Sequence, residues 1–165
     1  MDRRASSNKA KIRHQIMAGR WVLLAVAGLT LVNQLMLLCG AAYHFWISAA
    51  TPYYVNWLGA ELGLSGAWPV VNVLLALVLD GFFIACWALS RRRRGFLTAA
   101  LAGYALDTLL LVIFAFTLLR NPASCILEIL THLVVIYLLL TADQAAGALQ
   151  QMRQRHPGQK ERERI

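Results

Sequence analysis

No lysine or arginine lies between Arg20 and Arg91. Of the 16 basic residues, six lie in residues 1–20, four are Arg91–Arg94, five follow residue 150, and Arg120 stands alone. A nucleic-acid surface needs basic side chains spread along a polar, groove-sized face. Here they flank apolar runs, so the net charge of +8 reads as topogenic and nucleic acid is not an expected partner. Cysteine is scarce: Cys39, Cys86 and Cys125 form no C-x-x-C pair, which excludes zinc ribbons and dithiol redox motifs and leaves them as small apolar residues. No glycine-rich phosphate loop, H-E-x-x-H spacing or nucleophile signature occurs, so a non-enzymatic role is expected and no cofactor is indicated.

What the chain has in abundance is apolar surface, with 59% hydrophobic residues, only 15% charged ones and a mean hydropathy of +0.55. That composition belongs to a polytopic membrane protein. The expected fold is all-α, a four-helix transmembrane bundle. Its spans are read at 21–43, 69–89, 95–119 and 122–141, each long enough to cross about 30 Å of hydrocarbon. Residues 1–20 read as a basic cytoplasmic arm, disordered or helical from a cap at Ser6-Ser7-Asn8. Residues 142–165 read as a polar cytoplasmic tail, helical to Gly147 or somewhat beyond.

Residues 44–68 are apolar and aromatic but broken by Pro52, Gly59, Gly63 and Gly66. A fifth span here would put the N-terminal arm on one side and Arg91–Arg94 with the C-terminal tail on the other. With four spans, fifteen of the 16 basic residues share one side, Arg120 being the exception. The segment is therefore expected as an extracytoplasmic cap, interfacial or re-entrant. Both termini are expected in the cytoplasm, and the protein in the cell (inner) membrane.

Ionisable residues inside the spans are few: Asp80, Asp107, Glu128 and His132. Glu128 and His132 are four residues apart and share one face of the last span. Rise per residue puts Asp80, Asp107 and His132 near mid-membrane together with Asn33 and Gln34, with Glu128 about a turn outward. A charge there costs about 2.5–3.5 kcal/mol on insertion scales, so these groups are expected to face inward and to form one polar cluster. Three carboxyls facing one imidazole cannot all ionise uncompensated. Either carboxyls are protonated or a cation completes the set. If the cluster is protonated and only structural, Asp107→Asn is expected to be harmless.

Three uses of such a layer compete: handling of protons or a small cation, alone or as an accessory subunit; a structural or partner-binding cluster; and an intramembrane hydrolase in which Asp80 and Asp107 share a proton and activate water. A metal held by Asp80, Asp107, Glu128 and His132 is chemically allowed, since carboxylate and imidazole suit Zn²⁺, Mn²⁺ or Fe²⁺. Anionic lipids are the expected partners of the basic cytoplasmic face. Small residues at Ala99 and Gly103 invite close helix packing, in a homo-oligomer or with another membrane protein.

Gly19-Arg20-Trp21, the stretch Phe45-Trp46-Ile47-Ser48-Ala49-Ala50-Thr51-Pro52-Tyr53-Tyr54, and Tyr104-Ala105-Leu106-Asp107 with the histidine of the last span together resemble a group of small four-span bacterial membrane proteins. The resemblance covers about residues 19–148. It implies a shared fold and a cell-membrane location, with Tyr104, Asp107 and His132 as matched positions, and implies no particular activity.

Overall fold

The computed structural model describes residues 2–41, 44–64, 66–117 and 125–155, and every regular element among them is a helix. In chain order these are α1 (Asp2–Leu38), α2 (Thr51–Glu61), α3 (Trp68–Leu89), α4 (Gly95–Thr117) and α5 (Ile126–Arg155). Four of them, all but α2, are long and apolar enough to cross a membrane. Only 28–33% of the residues in their most apolar windows are buried, and the rest present Leu, Val, Ile and Phe side chains outward. In water that surface would be untenable; in lipid it is ordinary. The chain is a multi-pass membrane protein by this measure.

The four long helices form a closed ring in which α1 packs on α3 and α5, and α4 packs on the same two. Each neighbour runs antiparallel, because Arg20 of α1 reaches Ser90 just after α3, and Arg94 just before α4 reaches Asp143 late in α5. Close packing depends on small residues. A side chain at Gly19 would overlap Cβ of Ala142, so α1 and α5 touch nearly backbone to backbone there. A Cβ at Gly103 would come 2.6 Å from the ring of Phe82. The small-residue groove expected to receive a second molecule thus receives Phe82 of α3 at this point.

Helix boundaries follow local chemistry. Span 1 was expected to reach residue 43, but α1 stops at Leu38 because Gly40 adopts φ 77°. The Gly40 N–H donates to the Leu37 carbonyl and the Ala41 N–H to the Met36 carbonyl, which is a Schellman ending. Gly63, at φ 64°, ends α2 in the same way. Pro52 and Pro69 sit in the first turns of α2 and α3, where a missing N–H leaves no bond unmade. At the other end, α1 runs unbroken from Asp2 through Ser6-Ser7-Asn8 into the first span, so there is neither a separate short helix nor a disordered arm over these residues. Good helix formers (Ala, Lys, Arg, Gln) simply extend a helix already nucleated by the span. Helix α5 likewise continues past Gly147 to Arg155. The expected ends of spans 3 and 4 at residues 118–119 and 122–124, together with Arg120, lie outside the described residues.

Candidate functional site

The connection between α1 and α2 folds down into the ring. Ser48, Ala49 and Ala50 are all but fully buried. They meet Thr30, eight residues or about 12 Å of helix before the end of α1, and Asp107, ten residues or about 15 Å before the end of α4. An irregular backbone at that depth must find a partner for each N–H and C=O. Asn33 supplies three bonds. Its Nδ2 donates to the Phe45 carbonyl at 2.9 Å and to Ser48 Oγ at 2.6 Å, and its Oδ1 accepts from the Phe45 N–H at 2.7 Å. Thr30 Oγ1 donates to the Val26 carbonyl and accepts from the Ala49 N–H, both at 2.8 Å. Tyr104 donates to the Ile47 carbonyl at 3.2 Å.

Asp107 closes the arrangement. The N–H of Ala50 donates to its Oδ2 and the N–H of Thr51 to its Oδ1, each at 2.9 Å. These are the first amides of α2, whose own N-cap residue is an alanine that makes no side-chain cap bond. The carboxylate of α4 therefore caps α2 from another helix, and the positive end of the α2 dipole faces it. Both carboxyl oxygens thus accept from main-chain donors. The missing positive charge is thus supplied, for Asp107, by peptide dipoles, an answer outside the two the sequence suggested. The same geometry argues against the expectation that Asp107→Asn is harmless. An amide offers one acceptor where two are used, and turns its NH₂ against a backbone N–H.

His132 of α5 lies beside this cap, completely buried, with Nδ1 3.9 Å from Asp107 Oδ2. Its ring stacks on Tyr104 at 4.8 Å, and Tyr104 in turn meets Phe83 edge-on. Thr108 Oγ1 sits 3.0 Å from Nδ1 and 2.8 Å from the Tyr104 carbonyl. With the Thr108 hydroxyl donating to that carbonyl, its oxygen can accept from Nδ1–H, and this is the tautomer taken here. In the neutral ring the lone pair is then on Nε2. The backbone of Ser48 approaches the ring, but Nε2 is buried without a partner of hydrogen-bonding geometry.

A turn outward, Glu128 Oε2 accepts from the Tyr54 hydroxyl at 2.7 Å, and its Oε1 lies 3.4 Å from His44 Nε2, near enough for an ion pair but without hydrogen-bond alignment. His44 stacks on Tyr53 at 3.9 Å. Burial first, then Cys125 and Glu128, hold the Tyr54 hydroxyl well above the ordinary tyrosine range, so it stays a donor. Glu128 thus binds the second half of the inserted segment as Asn33 binds the first.

Asp80 is different. It is buried on the face of α3 that also buries Asn72, Ala76 and Phe83, yet neither of its oxygens, and neither polar atom of Asn72, has a partner among the described residues. Asp107, His132 and Tyr104 are brought together; Asp80 bonds to none of them. Gln34 is buried too and lines a water-sized niche of about 10 Å³ with Thr30, Asn33 and Tyr53. Among the described residues no three His, Cys, Asp or Glu side chains are grouped to hold a metal ion, so the four-residue ligand set is not assembled.

Thr30, His44, Ser48, Tyr54 and Thr108 were not foreseen as members of the site. A signal existed for four of them: Ser48 and Tyr54 stand in the motif stretch around Pro52, and Thr30 and Thr108 are hydroxyls one turn from Asn33 and beside Asp107. No protein-family model, no curated protein and no solved structure matches this chain.

Proposed function

We propose that this chain is a membrane protein whose buried Asp107–His132 pair takes up and releases a proton, alone or as a subunit of a larger membrane assembly. The observation that carries this is a fully buried histidine whose Nδ1 is 3.9 Å from an aspartate held by two backbone amides. A proton arriving at Nε2 makes an imidazolium that the carboxylate stabilises. The carboxylate then divides its charge between the imidazolium and the α2 amides, so proton occupancy and the grip on the inserted segment are linked. In this reading the segment between α1 and α3 is re-entrant from the outer face of the cell membrane, and both termini with Arg91–Arg94 are cytoplasmic, a placement that the distribution of basic residues supports.

The test is purified protein in liposomes enclosing a pH-sensitive dye, under an imposed potassium potential. Native protein should pass protons, and His132→Gln should abolish the flux. Absence of flux in native protein, with His132→Gln as stable as native, would remove the proposal. Sidedness is checked separately with Glu61→Cys and Lys11→Cys, each in a Cys39→Ala background because Cys39 is exposed, in intact cells, where an impermeant thiol reagent should modify the first alone.

A structural reading is favoured by one further observation, namely that Asp107, Asn33, Thr30, Tyr104 and Glu128 all bond to the inserted segment. It predicts a folded protein with no proton flux. The hydrolase reading loses ground, because Asp80 and Asp107 share no hydrogen bond through which one proton could be divided.

A further inference from the structure

At the end of the ring opposite the inserted segment, a pocket of about 810 Å³ opens between α1, the α3–α4 turn and α5. Five guanidiniums line it, those of Arg20 and Arg91–Arg94, with no carboxylate in its wall. Asp143, behind it, binds Arg94 through both oxygens, at 3.1 and 2.7 Å, and Thr98 as well. One of five charges is thereby neutralised and four remain, without a carboxylate partner among the described residues.

The guanidiniums are not merely scattered. Arg20 donates to Ser90 Oγ at 3.1 Å and to the Trp87 carbonyl at 3.4 Å, which fixes it against α3. Arg20 and Arg91 both lie over the Trp87 ring, each 5.7 Å from its centroid, so one indole gathers two like charges. Gly147 leaves room for Arg94, whose guanidinium would stand 2.5 Å from a Cβ at that position. Like charges held this close repel one another, and the potential they create favours an anion. Ile16, Ala146 and Leu149 complete the lining with an apolar wall, at the depth where the helices leave their apolar runs.

We propose that this pocket binds the phosphate of an anionic lipid headgroup. Guanidiniums present forked donors that match phosphate oxygens, and an apolar wall beside them suits the glycerol and first methylenes of a lipid better than it suits a free ion. The inference is independent of the proton-handling reading, since none of these residues belongs to the Asp107–His132 pair.

The test uses the full chain in neutral detergent, titrated by calorimetry with dioctanoyl-phosphatidylglycerol, dioctanoyl-phosphatidylcholine and inorganic phosphate. Saturable one-to-one binding of the phosphatidylglycerol is expected, at least 10-fold tighter than that of either other ligand. Arg92→Gln with Arg93→Gln, two exposed residues with no role in holding the helices, should weaken it at least 10-fold. Lys11→Gln with Arg13→Gln removes the same charge from an exposed part of α1 outside the pocket and should change it less than 2-fold. Equal weakening by the two double variants would mean diffuse surface attraction and would overturn the site. Phosphatidylcholine binding as tightly as phosphatidylglycerol would overturn it as well, and inorganic phosphate binding as tightly would assign the pocket to the free ion instead of the lipid.

Discussion

The polar side chains of α4 and α5 and those of α3 are buried to the same degree, but their partners differ completely. Asp107, Thr108, Glu128 and Tyr104 each bond to something, and in three of the four cases to residues 47–54 of the inserted segment. Asp80 and Asn72 on α3 bond to nothing among the described residues. The first group shows what an intramembrane carboxylate needs, namely several donors fixed at one place. A segment of irregular backbone is a concentrated source of donors, whereas a neighbouring helix has already used its own N–H groups. The second group carries the desolvation of buried polar groups without that return.

If the comparison is right, substitutions on the two faces must have unequal effects. The largest belongs to Asp107→Ala, which removes two charge-assisted bonds and leaves two buried amides bare. At about 1–3 kcal/mol for each unsatisfied group, a loss of about 3–5 kcal/mol is expected in reversible unfolding in detergent. Ser48→Cys, buried in the native chain, should become open to a thiol reagent in that background. Asp107→Asn should fall between, at about half the loss. Asn33→Ala stands between the two Asp107 variants at about 2–3 kcal/mol, since it breaks the three bonds that hold Phe45 and Ser48. Gly59→Val should cost about 1–3 kcal/mol by a different route, because the Trp68 indole lies directly on Gly59 where α2 meets α3. Smallest is Asp80→Asn, expected within about 0.5 kcal/mol of native, because no bond is there to lose. A loss of several kcal/mol at Asp80 would show that it has a partner after all and would erase the contrast.

Much of this was legible in the sequence, and the limits have physical causes. The four spans, the break at 44–68 and the antiparallel ring follow from apolar runs flanked by basic residues. The pairing of Asp107 with His132 followed from depth. Depth alone could not place Asp80, because rise per residue fixes height along a helix and says nothing about which neighbour that face of α3 will meet. Nor could side-chain counting find the counter-charge of Asp107, because the donors are main-chain amides that every sequence contains. A faint signal was present at Ala50-Thr51-Pro52, a helix start with proline in its first turn and no capping side chain of its own at Ala50. A helix that begins deep in a membrane protein without a cap must borrow one. Gly40 was a second signal, since it marks the end of α1 where a count of apolar residues runs on to Tyr43.

The central claim is that His132 and the amides of Ala50 and Thr51 answer to one proton through Asp107. It is tested most directly by nitrogen NMR of protein labelled at histidine, alanine and threonine, in lipid, across a pH titration. At neutral pH the account predicts His132 in the form with hydrogen on Nδ1 and a bare Nε2. On acidification it predicts conversion to the imidazolium, with the Ala50 and Thr51 amide resonances shifting at the same midpoint. A His132 that carries its hydrogen on Nε2, or Ala50 and Thr51 amides that stay fixed while His132 titrates, would contradict it.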